Sequence, residues 1–166
     1  MNKANIWGWS KKTRTTLKNI KAGDIFCFTQ ENESYYFGII ISKIITGHVA
    51  EIFKTIKKDP LLTPIELEHI EPLTDPIVLD SYSLFDKKTD PKGEWRIIGH
   101  QEVTPTDRIK NYYFAYGTPE SWTKVSALNV TEDASEHEIV SLPPLTPLNN
   151  YKVSNLLRRI QNQSDK

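Results

Sequence analysis

KAGDIFCFTQENESYYFGIIISKIITGHVAEIF, residues Lys21 to Phe53, carries the densest apolar signal in the chain. Three apolar runs stand in it, Ile25 to Phe28, Tyr35 to Ile41 and Val49 to Phe53, separated by the polar TQENES and by a turn at Thr46-Gly47. Each run is too short for a stable helix. Their Ile, Phe, Tyr and Val suit a pleated, packed surface, so the stretch predicts three consecutive antiparallel strands. In the middle run only Gly38 interrupts the apolar residues. A strand with one wet face would alternate polar and apolar side chains, so this one is expected to be covered on both sides, as in a small barrel or a sheet packed above and below.

Working outward, the third run places Val49, Glu51 and Phe53 on one face of a strand and Ala50 and Ile52 on the other. An acid therefore stands among apolar neighbours, and its expected partner is a basic residue such as Arg96. The single cysteine, Cys27, lies between Phe26 and Phe28 and has no second thiol to pair with, which fits an inert thiol in a reducing compartment. Gly23-Asp24 before the first run has turn chemistry. Residues 1–20 read as an irregular arm whose Trp7, Leu17 and Ile20 cover one end of the core.

All ten prolines lie at or beyond Pro60, so the chain after the three runs is punctuated. Thr63-Pro64-Ile65-Glu66 is a capping box with proline at the first helical position and predicts a short helix from Pro64 to His69. Ile77 to Phe85 reads as extended, residues 86–93 as a loop and Glu94 to His100 as a strand. Thr104 to Asp107 offers a helix cap or tight turn, and the aromatics Tyr112, Tyr113, Phe114 and Tyr116 are expected to divide between core and surface. Trp122 to Leu128 reads as the last strand, and Ser135 to Glu138 is a second capping box opening a short acidic helix. Val153, Leu156, Leu157 and Ile160 recur at helical spacing behind Asn149 or Asn150 as cap, which predicts an amphipathic helix over 150–163 with its apolar stripe on the sheet. The expected fold is mostly β (α+β): a strongly bent antiparallel sheet or small barrel, two to three short peripheral helices and a C-terminal amphipathic helix, in one domain spanning 1–166.

The segments KAGDIFCF (Lys21 to Phe28), YYFGIIISKI (Tyr35 to Ile44), GHVAEIF (Gly47 to Phe53), LDSYSLF (Leu79 to Phe85), EWRIIG (Glu94 to Gly99) and YG (Tyr116, Gly117) resemble, in order, the bacterial immunity protein 26 family. These are small cytoplasmic partners encoded beside polymorphic toxins. The resemblance implies a non-enzymatic protein that neutralises the C-terminal domain of a cognate toxin by binding it, in a polymorphic or contact-dependent toxin system. Gly23, Gly38, Gly47, Leu84 and Trp95 fall on the pattern and look like fold-makers, which leaves partner specificity to segments outside it.

Charge points to two such segments. The chain has 21 basic and 21 acidic residues, so no global field draws it to nucleic acid or to a membrane. Locally, residues 1–58 carry +6, residues 59–150 carry −9 and the last 16 carry +3. The acids concentrate in Glu66, Glu68, Glu71 with Asp75, and in Glu132, Asp133, Glu136 with Glu138. Toxin domains that act on nucleic acid present basic clefts, and an acidic inhibitor surface would complement one and speed association. These eight residues are the candidate toxin contacts.

No apolar run approaches the ~18 residues of a membrane span, and the N-terminus lacks a signal-like apolar stretch, so a cytoplasmic protein is expected. There is no phosphate-cradling glycine loop, no nucleophile elbow and no paired Cys or His at metal spacing; His48, His69, His100 and His137 are scattered. No catalytic residue, cofactor or metal is expected, the weaker enzymatic reading being a hydrolase built on Glu51 and His48. The alternative class is a small β-barrel module binding nucleic acid through the basic KKTRTTLK arm and the Tyr112 to Tyr116 aromatics.

Overall fold

The computed structural model describes residues 3–30, 33–86 and 94–166. The three expected strands are present and longer than their apolar runs: β2 (Asp24–Thr29), β3 (Tyr35–Ile44) and β4 (Gly47–Lys57), paired antiparallel in sequence. β6 (Glu94–His100) lies on the other side of β2, β1 (Asn5–Ile6) beyond it, and β5 (Ile77–Leu79) beyond β4, giving the order β1-β6-β2-β3-β4-β5. The sheet is open, so of the two forms expected it is the sheet rather than the barrel that is built. Register shifts between Ile25 and Phe26, Tyr36 and Gly38, and Ile40 and Ser42 supply the irregularities that coil and bend such a sheet.

Both faces of the central strands are covered, as the unbroken apolar run requires. On one face Phe26, Phe28, Tyr36, Ile40, Ala50, Ile52 and Ile97 pack with Trp95, Leu84 and Phe85, and under Val153 and Leu157 of the C-terminal helix α4 (Asn150–Ser164). Trp95 stacks on Phe28 with ring centroids 3.9 Å apart and planes 2° from parallel. Its indole donates to Asn150 Oδ1 at 3.0 Å, which ties the first turn of α4 to the sheet. The opposite face holds two clusters. Ile25, Cys27, Phe37, Phe53 and Ile98 sit under the arm and under α1 (Pro64–Glu68), while Ile41, Ile44, Val49 and Val78 meet Ile109 of α2 (Asp107–Lys110) and Phe114. Cys27 is fully buried there, and its burial pushes the thiol far above its ordinary pKa.

Gly38 is closed in by both neighbouring strands, β2 and β4. A Cβ there would fall 2.2 Å from Phe26 Cζ and 2.5 Å from the Glu51 carbonyl oxygen, so no other residue fits without moving the neighbouring strand.

A second antiparallel sheet follows, β7 (Tyr113–Thr118), β8 (Ser121–Ser126) and β9 (Thr131–Asp133), then α3 (Glu136–Ser141). Two readings change. β8 is not the last strand: Asn129, at φ 66°, turns the chain back so that β9 pairs with it. The stretch Ile77 to Phe85 is extended only as far as Leu79. Asp80 then captures the backbone, its carbonyl accepting from Leu84 N–H at 3.1 Å and from the Ser83 hydroxyl at 3.1 Å. The chain coils into a π-type turn over Tyr82–Asp86 that delivers Leu84 and Phe85 to the core. The loop expected over 86–93 lies, from 87 onward, outside the described residues.

His48 on β4 gives the core a pH dependence. It is only 2% exposed, its Nδ1 lies 2.6 Å from Ser81 Oγ, and its Nε2 has no hydrogen-bond partner among the described residues. Burial holds its pKa below the usual imidazole value. The unfolded chain takes up the proton near pH 6.5, before the folded one does, so this contribution to stability is complete above about 6.5 and is lost as pH falls below it. In urea unfolding, the wild-type chain is expected to lose more stability between pH 7 and pH 5 than His48→Asn. Equal losses would show that His48 is not kept neutral by its site.

Candidate functional site

The first acidic segment begins in the capping box that starts α1. Glu66 N–H donates to Thr63 Oγ1 at 3.2 Å, and Glu66 Oε2 accepts the Thr63 N–H at 2.7 Å. The other Glu66 oxygen takes Lys57 Nζ at 3.0 Å, and the Thr63 amide and Lys57 together hold its carboxyl below the ordinary range. Glu71 pairs with Lys54 at 2.6 Å on the exposed end of β4. Glu68 is exposed and has no partner among the described residues. Asp75 stands 3.6 Å from Arg108 Nη1.

Arg108 is the residue the sequence reading missed. At the start of α2 it forms the ion pair with Glu51, the acid standing among apolar residues of β4. The expected partner was Arg96, and register rules it out. Glu51 lies opposite Ile39, Ile39 opposite Ile25, and Ile25 opposite Gly99, whereas Arg96 faces Cys27. Arg96 instead grips Glu94, donates to the Trp9 carbonyl at 3.0 Å and stacks 4.3 Å from the Trp9 ring centroid. His48 and Glu51 fall on opposite faces of β4, one bound to Ser81 and the other to Arg108, so the pair needed for the hydrolase reading is not assembled.

The second acidic segment spans β9 and α3. Glu138 closes the capping box with Ser135, accepting its N–H at 2.8 Å, and its other oxygen lies 3.1 Å from Lys124 Nζ on β8. Glu132 reaches the same lysine at 4.0 Å. Its carboxylate also raises the Tyr113 hydroxyl pKa, and Glu138 raises that of Lys124. Every residue of β9 is exposed, and Asp133 and Glu136 have no partner among the described residues. The two patches therefore differ in net field. Lys54 and Lys57 answer two of the first four acids, and Arg108 is shared between Asp75 and Glu51, while among the described residues Lys124 alone answers the second four.

Asp75 of the first segment also lines a groove of about 460 Å³, together with Leu73, Ile77, Tyr112, Pro143 and, from α4, Leu156 and Ile160. The aromatic run divides as expected: Phe114 is buried, Tyr112 and Tyr113 are half-buried and Tyr116 is exposed. Lys124 covers the Tyr113 ring at 4.8 Å, so the four do not form one open stacking platform.

One more pair joins through register alone. Asp24, at the start of β2, and His100, at the end of β6, face each other, with His100 Nδ1 2.8 Å from Asp24 Oδ1. In the sequence they read as a turn residue and a scattered histidine.

The pattern of the immunity protein 26 family matches residues 21–122. The chain belongs to this family. No curated protein and no solved structure matches it. The immunity protein 26 span holds β2 to β7, α1, the Glu51–Arg108–Asp75 cluster and the Asp24–His100 pair. β9, α3 and α4 lie beyond it, as does the arm before Lys21. Of the two acidic segments placed outside the family pattern by sequence, only the second is outside. No helix among the described residues is long and apolar enough to cross a membrane.

Proposed function

We propose that this immunity protein 26 family member binds the C-terminal domain of a cognate toxin in the cytoplasm and neutralises it without catalysis. Family membership carries this reading, the family being one of immunity proteins. The contact surface is assigned to the acids Glu132, Asp133, Glu136 and Glu138 on β9 and α3, with Glu66, Glu68, Glu71 and Asp75 as a flank. The first four stand outside the shared family span and carry the larger uncompensated charge. An exposed field of one sign steers a basic partner and speeds association, which salt then weakens.

Co-expression with the adjacent toxin gene tests the function: growth should be rescued and the two proteins should co-elute from a sizing column. Failure of both would overturn the reading. For the surface, Glu132→Gln, Asp133→Asn, Glu136→Gln and Glu138→Gln are combined, and Glu66→Gln, Glu68→Gln and Glu71→Gln are made separately. Glutamine can still close a capping box, so both melts should stay unchanged. Toxin affinity of the first variant should fall more than about tenfold, with a shallower salt dependence, and that of the second should fall less. Unaltered affinity and salt dependence in both would exclude these residues as the contact.

A further inference from the structure

We propose that the cleft between the N-terminal arm and the ends of β2 and β6 binds a phosphate-bearing small molecule of about mononucleotide size. The arm is pinned to β6 by β1 and by the Trp7 indole, which donates to the Ile97 carbonyl at 3.1 Å. It then loops away and returns through a short 3-10 turn at Leu17–Asn19 to the buried Ile20. That detour leaves a space of about 500 Å³, within the range of about 300–1,000 Å³ typical of small-ligand sites.

The lining carries three cations, Lys12, Arg14 and Lys21, and the His100 imidazole, against a single lining acid, Asp24. That acid is already engaged: Oδ2 accepts the Lys21 N–H at 3.0 Å and Oδ1 holds His100 Nδ1, with the residue only 4% exposed. A carboxylate on Nδ1 fixes the ring and leaves Nε2 for a ligand. Gly23 makes this contact possible. At φ 94° it turns the chain into β2, and a Cβ there would fall 2.8 Å from His100 Cε1 and 2.4 Å from the Gln101 carbonyl. The Lys12 and Lys21 ammonium groups have no carboxylate partner among the described residues, Lys12 resting 5.3 Å from the Trp7 ring centroid.

Thr15 supplies a separate observation. It lines the cleft, and its hydroxyl is shielded from solvent and makes no hydrogen bond with a described residue. Such an unsatisfied polar group gains a partner when an acceptor oxygen enters the cleft and the side chain turns toward it. Several cations and a hydroxyl converging on one space suit the three oxygens of a phosphate monoester better than the two of a carboxylate.

The probes are adenosine monophosphate, adenosine, inorganic phosphate and a single-stranded oligonucleotide, titrated by calorimetry into the isolated protein. No toxin is involved, so the outcome is independent of the proposed function. The monophosphate should bind with inorganic phosphate as competitor, and adenosine should not. Lys12→Ala with Lys21→Ala should weaken monophosphate binding at least tenfold; both residues are exposed, so the fold should be kept. Absence of monophosphate binding, equal binding by the double variant, or equal binding of adenosine would each overturn the proposal. So would oligonucleotide binding with a steep salt slope and no monophosphate binding, which would mark a backbone-tracking arm.

Discussion

An Ile40→Asp chain is expected to have no cooperative unfolding transition, its near-ultraviolet dichroism flat at temperatures where the wild-type chain is folded. Ile40 has no exposed surface and sits at the centre of the face covered by α4, among Phe26, Ala50 and Val153. A carboxylate placed there finds no counter-ion in its cluster. An unpaired charge in such a site costs several kcal/mol or leaves a neutralised acid that still lacks hydrogen-bond partners, against a total stability of about 5–15 kcal/mol. Ile40→Val provides the contrast, since it removes one methylene and should cost only about 0.5–1.5 kcal/mol. A native-like melt in Ile40→Asp would show that the core lies elsewhere.

Trp95→Ala should be the most damaging of the truncations, costing about 3–5 kcal/mol. For a chain of this size that corresponds to a fall in Tm of roughly 6–20 °C. Trp95 is almost fully buried and touches three other rings: Phe28, Phe26 at 5.5 Å and Phe85 at 5.7 Å. Its loss opens a cavity between the sheet and the π-type turn and removes the hydrogen bond to Asn150 as well. The damage should therefore spread to α4, whose amides should exchange faster in Trp95→Ala than in Trp95→Phe. The phenylalanine keeps a ring in the stack but not the indole donor. A Tm within 2 °C of wild type for Trp95→Ala would contradict the packing described.

What sequence could show and what it could not divide along a physical line. The strands from Asp24 to Lys57 were legible because their apolar content is local and continuous, and α1 and α3 because a capping box spans only four residues. The Val153 and Leu157 stripe of α4 was visible for the same reason. Missed features depend on which strands become neighbours. Glu51 meets Arg108, and Asp24 meets His100, only once several strands have aligned. The π-type turn was hidden because Asp80 competes for backbone groups that an apolar pattern would assign to a strand. At the acidic segments the charges were plain, but their answering lysines, Lys54, Lys57 and Lys124, stand on β4 and β8, outside those segments, and meet them only when the chain has folded back.

The place of β6 between β1 and β2 also sets the order in which the molecule can be completed. A chain leaving the ribosome can zip β2, β3 and β4 together from neighbouring hairpins, but one side of β2 stays unpaired until His100 has emerged, and Asn5 must wait for that same residue. During that interval the nascent protein presents IFCF as a bare, uncharged ribbon, the kind of segment that recruits other chains. The short strand β1, made long before its partner, thus stays unseated until β6 is complete, and the cleft between the arm and β6 takes shape only then.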